Sequence, residues 1–154
     1  MRRNAWVRIF LLNGFIMVLL LLTGCNSGTL HHTYTFSGEG EHWSAIYSET
    51  VTEKPVISEG KATYYQSSGD YNFQLAYKGE AKDLKEIKQF TYGFEALGHG
   101  SSQSMEGPVR VESLHMYGSS DGSLNRGQAP IKVNVEWDGH QEQFELQLDG
   151  DEAE

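Results

Sequence analysis

The side chains able to do chemistry in this 154-residue chain are six histidines (31, 32, 42, 99, 115 and 140), four methionines, one cysteine and the serines of two glycine-rich stretches. Gly118-Ser119-Ser120-Asp121-Gly122 has the spacing G-x-S-x-G, in which a sharp strand-to-helix turn exposes the central serine as a nucleophile. That geometry requires a helix to leave the turn, whereas Ser123-Leu124-Asn125-Arg126-Gly127 is turn material. The segment therefore reads as a loop, and a small hydrolase acting through Ser120 is set aside. Gly98-His99-Gly100-Ser101-Ser102 lacks the Gly-Lys-Ser/Thr that grips a phosphate. No buried acid is indicated that would orient His99 toward Ser101. A surface loop running through Ser104 into Met105 accounts for this segment. Glu39, Glu41 and His42 surround Gly38 and Gly40, but not with the D-x-D-x-D-G spacing of a calcium loop. A turn in which Trp43 anchors the next strand is the reading taken.

Imidazole and thioether together suit copper outside the cytoplasm. Here the ligand types occur without ligand spacing. His31 and His32 are adjacent and diverge, and His115 and Met116 point to opposite faces of a strand. No metal or other cofactor is assigned; His31, His32, His42 and His115 are the residues on which a metal-binding alternative would draw. Trp43 and Trp137, with Tyr64, Tyr65, Tyr71, Tyr77 and Tyr117, could stack on a sugar or peptide, although rings at strand positions more often pack the core.

The elements that position these groups read as β almost throughout, from period-two alternation. Ile131, Val133, Val135 and Trp137 alternate with Lys132, Asn134 and Glu136, and Phe144, Leu146 and Leu148 do the same with Glu145 and Gln147. Asp138-Gly139 between them favours a type I′ hairpin, whose two central residues need positive φ. Tyr71–Tyr77 and Phe90–Phe94 alternate as well, and Val109–Met116 does so with a phase shift of the kind a β-bulge produces. Thr33–Ser37, Trp43–Val51 and Lys61–Gln66 are fainter strands. Asp83-Leu84-Lys85-Glu86 has capping-box spacing for a single helical turn. About eight short strands, each with one apolar face, predict an all-β fold: a single antiparallel β-sandwich, Ig-like or jelly-roll-like.

The first 24 residues differ from all of this. Arg2, Arg3 and Arg8 precede an apolar run from Ile9 to Leu22, broken only by Asn13 and Gly14, and no acid occurs before Glu39. That is the pattern of a secretory signal, shorter than the roughly 20 apolar residues of a membrane span. It ends in Leu22-Thr23-Gly24-Cys25, which resembles the lipobox of bacterial lipoproteins. The resemblance implies that the Cys25 sulfur carries a diacylglyceryl group and that residues 1–24 are removed, leaving Cys25 as the mature N-terminus. Phe36-Ser37-Gly38-Glu39-Gly40-Glu41-His42-Trp43, with Tyr47 downstream, and the segment from Ile131 to Leu146 also look like small lipoproteins of Gram-positive, spore-forming bacteria. That likeness implies a membrane-anchored β-domain and brings no catalytic residue with it.

The organisation expected is a signal at 1–24, a lipidated Cys25 with a tether to residue 31, a β-sandwich over 32–148 and a disordered acidic tail at 149–154. The 130 residues from Cys25 onward make one domain by length and contain no second cysteine for a disulfide. All 21 acidic residues but only 9 of the 12 basic ones lie there, a formal charge of −12. Such a surface argues against nucleic acid and other polyanions as partners. The functional expectation is a non-catalytic binding or interaction module, lipid-anchored at the cell membrane and facing outside the cytoplasm. Its partner would be an envelope protein or a small ligand; an extracytoplasmic metal-binding protein is the alternative.

Overall fold

The alternating segments near the C-terminus fold as their spacing requires. Strand β7 (Ile131–Trp137) turns at Asp138 and Gly139, with φ of 44° and 85°, into strand β8 (His140–Ala153). Trp137 faces His140 across the turn, so this is the expected two-residue type I′ hairpin. The Asp138 carboxylate also accepts the main-chain N–H groups of Lys88 and Gln89, at 3.1 and 2.9 Å, and thereby ties the turn to the start of a neighbouring strand.

A computed structural model describes residues 28–57, 64–110, 114–120 and 124–153. The signal at 1–24, Cys25, Lys61–Thr63, Val111 and Asp121–Ser123 lie outside the described residues. The remaining strands are β1 (Leu30–Glu39), β2 (Trp43–Val56), β3 (Tyr64–Tyr77), β4 (Gln89–Ala96), β5 (His99–Glu106) and β6 (His115–Ser120). They form one antiparallel sheet in the order β5-β4-β7-β8-β1-β2-β3-β6. β8 joins its two halves. Residues 140–146 pair with β7 and residues 147–153 pair with β1. Within the second part, Thr35 opposes Gly150 while Phe36 opposes Leu148, so Asp149 is the extra residue of a bulge that bends the strand.

The halves face one another across an aromatic core, as a sandwich does, although hydrogen bonding runs continuously from one to the other. Rings on β2 and β3 interleave with those on β4. Tyr47 meets Phe94 at 5.0 Å, Trp43 meets Phe90 at 5.1 Å and Phe73 meets Phe94 at 5.2 Å between centroids. Where the sheet edges β5 and β6 approach, the Tyr92 hydroxyl lies 3.0 Å from Gln103 Oε1 and 3.4 Å from the carbonyl of His115. Gly93 allows the curl, since a Cβ there would stand 2.6 Å from the carbonyl of Ser101.

Glu49 breaks the apolar parity of β2, following Trp43, Ala45 and Tyr47 on the inward face, and is only 1% exposed. Its carboxylate accepts the main-chain N–H groups of Asn125 (3.2 Å) and Arg126 (3.0 Å). The loop between β6 and β7 is shaped to present them. Arg126 has φ 49°, and the Asn125 side chain donates to the Ala129 carbonyl and accepts its N–H. The Arg126 guanidinium reaches Glu53 at 2.8 Å and Ser67 at 2.8 Å.

Several expectations need correction. Gly98–Met105 is not a surface loop: Leu97 and Gly98 make a tight turn, and His99–Glu106 is the edge strand β5, paired with β4 along its length. The backbone ladder, not side-chain alternation, holds it there. Of the tail expected at 149–154, residues 149–153 are not disordered, since β8 continues to Ala153 opposite His32; β1 would otherwise have an unpaired ladder along that stretch. The tether to residue 31 is shorter than expected, since β1 begins at Leu30. The segments around Gln66 and Tyr71 are one 14-residue strand, β3. Asp83–Glu86 forms a single 3₁₀ turn with no side-chain cap, fixed by the burial of Leu84. Val109 is buried but lies outside any strand, its N–H donating to the Leu84 carbonyl.

Gly139→Val is expected to lower stability by about 1–2 kcal/mol through backbone strain alone, since no atom lies within 4 Å of a Cβ placed there. Glu49→Ala, which leaves the buried N–H of Asn125 and the part-buried N–H of Arg126 without an acceptor, is expected to cost on the order of 3 kcal/mol, and Glu49→Gln less. Urea midpoints measure all three.

Candidate functional site

Cross-strand register sets the side chains of the outer face over β4, β5, β7 and β8 in rows. Ser104, Thr91, Glu136 and Gln141 form one row; Ser102, Gly93, Asn134 and Gln143 form the next. Because Gly93 has no side chain, the second row is low at its centre, and a groove of about 570 Å³ follows it. Its lining is hydroxyl, amide and carboxylate: Thr91, Ser102, Asn134, Glu136, Gln141 and Gln143. Thr91 and Ser104 share a 2.9 Å hydrogen bond at its rim. The side-chain amides supply donors and acceptors together, which suits a neutral polar ligand.

At one end, Thr91, Glu136 and Gln141 also line a second recess of about 370 Å³, which includes Trp137, Asp138 and His140. This end is built from three separated pieces of sequence. The Trp137 ring is partly buried against the core, 5.8 Å from Trp43. His140 stacks on it at 5.6 Å and 27°, and His42 lies 5.5 Å away on another side. Glu142 accepts the N–H groups of His42 and Trp43 at 3.0 and 3.2 Å, and pairs with His42 Nδ1 at 2.9 Å. Gly40 is required beside it, because a Cβ there would collide with Glu142 Oε1. The His42–Glu142 pair spans 100 residues and has no local sequence signal.

The other candidates disperse. Among the described residues no three His, Cys, Asp or Glu side chains converge on a metal position. His31 bonds to Thr52 Oγ1 at 3.1 Å, His32 stacks on Tyr34, and His115 stacks on Tyr117 over the outer face of β6. Ser120 lies within β6 opposite Gly69, and its neighbour Ser119 donates to Asp70 Oδ1 at 2.7 Å. The only described helical residues are Asp83–Glu86, so no helix follows Ser120 among the described residues. The seven aromatic residues do not form one platform: Trp43 is buried, Tyr71 and Tyr77 pack against the core, and Tyr64, Tyr65 and Tyr117 are exposed in two places.

His99 is pulled inward from the start of β5. Its Nε2 lies 2.9 Å from the Tyr47 hydroxyl, and its ring sits among Tyr47, Tyr71 and Phe94. Burial, and then the nearby charges of Glu49 and Tyr71, push the Tyr47 phenol well above its usual range. Tyr47 therefore stays protonated and can donate to Nε2, which places the ring proton on Nδ1. That nitrogen is buried and has no hydrogen-bond partner among the described residues. The arrangement is a hydrogen-bonded Tyr47–His99 pair held inside the aromatic core.

Compared with known proteins, the chain matches no family model, no curated protein and no solved structure.

A phenol whose pKa is raised on folding leaves stability intact below its unfolded value near 10 and lowers it as the pH climbs toward the folded value. Tyr47 should therefore steepen the alkaline loss of stability by up to about 1.4 kcal/mol per pH unit above pH 10. Tyr47→Phe is expected to flatten that slope, read from urea midpoints across alkaline pH.

Proposed function

We propose that this chain is a lipoprotein held to the outer face of the cell membrane through Cys25, acting as a non-catalytic binding module. The polar groove over β4, β5, β7 and β8 takes its partner, an envelope protein or a small ligand rich in amide or hydroxyl groups. The observation that carries the binding role is the lining of that groove, where Asn134, Gln141 and Gln143 offer donors and acceptors in register along adjacent strands. The anchor is supported by the lipobox-like Leu22-Thr23-Gly24-Cys25, which stands only three residues before Gly28. Two acyl chains at about 0.8 kcal/mol per buried CH₂ hold a protein to a bilayer essentially permanently.

Labelled palmitate is expected to enter the wild-type chain and not Cys25→Ser; a variant that still incorporates label would remove the anchor from this reading. For the groove, the lipidated protein in detergent is used to capture partners from solubilised envelope. Asn134→Ala combined with Gln143→Ala should lose the captured species while keeping the wild-type urea midpoint. Capture unchanged in the double variant would place the binding surface elsewhere.

A further inference from the structure

β2 and β3 outrun the rest of the sheet. Among the described residues the last pair of β6 with β3 is Ser120–Gly69, while β2 and β3 continue to pair through Thr52–Ser68, Glu53–Ser67, Lys54–Gln66, Pro55–Tyr65 and Val56–Tyr64. At roughly 3.3 Å per residue these five pairs extend about 17 Å beyond the last pair between β3 and β6. Over this stretch the only further described partners are the first residues of β1, with Leu30 opposite Glu53 and His31 opposite Thr52.

The side chains on this extension are unlike those of a solvated hairpin. Ile57 is 80% exposed, Tyr64 58%, Tyr65 55% and Leu30 43%. Register places Leu30, Pro55 and Tyr65 on the same face as Val51, which belongs to the buried set lower in the strand. Beyond the Arg126 contacts to Glu53 and Ser67, the extension thus carries exposed apolar side chains at Leu30, Ile57, Tyr64 and Tyr65. The one acid on that face, Glu53, is paired with Arg126 at 2.8 Å, so its charge is balanced.

The chain arrives from the N-terminus at the same place. A Cβ built on Gly28 would stand 3.5 Å from the Pro55 ring. Only Asn26 and Ser27 separate Gly28 from Cys25, and the three steps of chain, even fully extended, reach only about 11 Å. The polar headgroup layer on each side of a bilayer is itself roughly 5–7 Å thick. A lipid on Cys25 therefore holds the extension in the headgroup layer or within a few ångströms of it. The Trp137 end of the groove lies at the opposite pole, since Trp43 and Trp137 sit at the far ends of their strands.

We infer that the end of the β2–β3 hairpin, through Leu30, Ile57, Tyr64 and Tyr65, inserts into the headgroup layer beside the lipidated Cys25 and sets the domain upright on the membrane. Tyrosine suits that depth, its ring lying among acyl carbons and its hydroxyl among headgroups. The formal charge of −12 from Cys25 onward makes lipid attraction apolar rather than electrostatic here. This inference rests on the lipoprotein reading above.

The experiment uses the full chain, processed and lipidated, in vesicles of phosphatidylethanolamine and phosphatidylglycerol. A thioether-linked lipid on Cys25 leaves no free thiol, so Ile57→Cys and Lys85→Cys each accept a single nitroxide label. Palmitate incorporation is measured on the same samples. At position 57 collisions with oxygen should rise and collisions with a water-soluble nickel complex should be lost, whereas position 85 should behave as in water. Combining Tyr64→Ser and Tyr65→Ser with Ile57→Cys should restore nickel collisions at position 57. A palmitate-bearing chain whose position 57 meets nickel as freely as position 85 overturns the inference alone. A chain that carries no palmitate overturns the anchor, and the inference with it.

Discussion

Strand β8 is the constraint on which the rest of the structure depends. A sheet of eight strands with one apolar face must cover that face with itself, and a single strand here belongs to both halves. Its first seven residues complete the ladder of β7, and its last seven complete that of β1. The change of partner takes place between Leu146 and Gln147, and just beyond it the unpaired Asp149 turns the strand. Close by, Gly38 lets the β1 backbone approach β8, since a Cβ there would collide with the Glu145 carbonyl. With the two halves bent together in this way, the rings of β2 and β3 come within reach of those on β4.

Three carboxylates then close the two ends of the aromatic core. At one, Glu49 gathers the loop between β6 and β7 by its main-chain N–H groups. At the other, Glu142 gathers the chain that enters β2, and Asp138 gathers the chain that enters β4. In all three a carboxylate takes main-chain donors that would otherwise lack partners, and such bonds are stronger than neutral ones. The acidic composition of the chain is thus partly structural. A charge count made without the structure treats each of these as surface.

What the sequence disclosed depended on whether side chains or backbone held a segment. The hairpin from Ile131 to Leu146 is legible because alternation and turn chemistry agree. β5 is not legible, for Gly100-Ser101-Ser102-Gln103-Ser104 has no apolar residue and becomes a strand only by pairing with β4. Asp149–Ala153 is hidden for the same reason, its acidic residues lying on a ladder with β1. Glu49 did leave a signal, an acid on the apolar parity of a strand, and such a residue implies a buried acceptor with donors waiting for it. The groove gave no signal, because its rows unite strands from residues 91, 102, 134 and 143, and only the register reveals that they adjoin.

The position of β1 has a mechanical consequence. It enters the sheet at Leu30 with β2 along one side for ten residues and β8 along the other for six. A pull on the chain ahead of residue 30, directed along the strand, loads both ladders in shear, so many hydrogen bonds must give way together. Were β1 an edge strand pulled from its end across the sheet, the bonds would open one after another, as a zip does. The domain is therefore toughest along the direction in which a tether at its N-terminus would drag it.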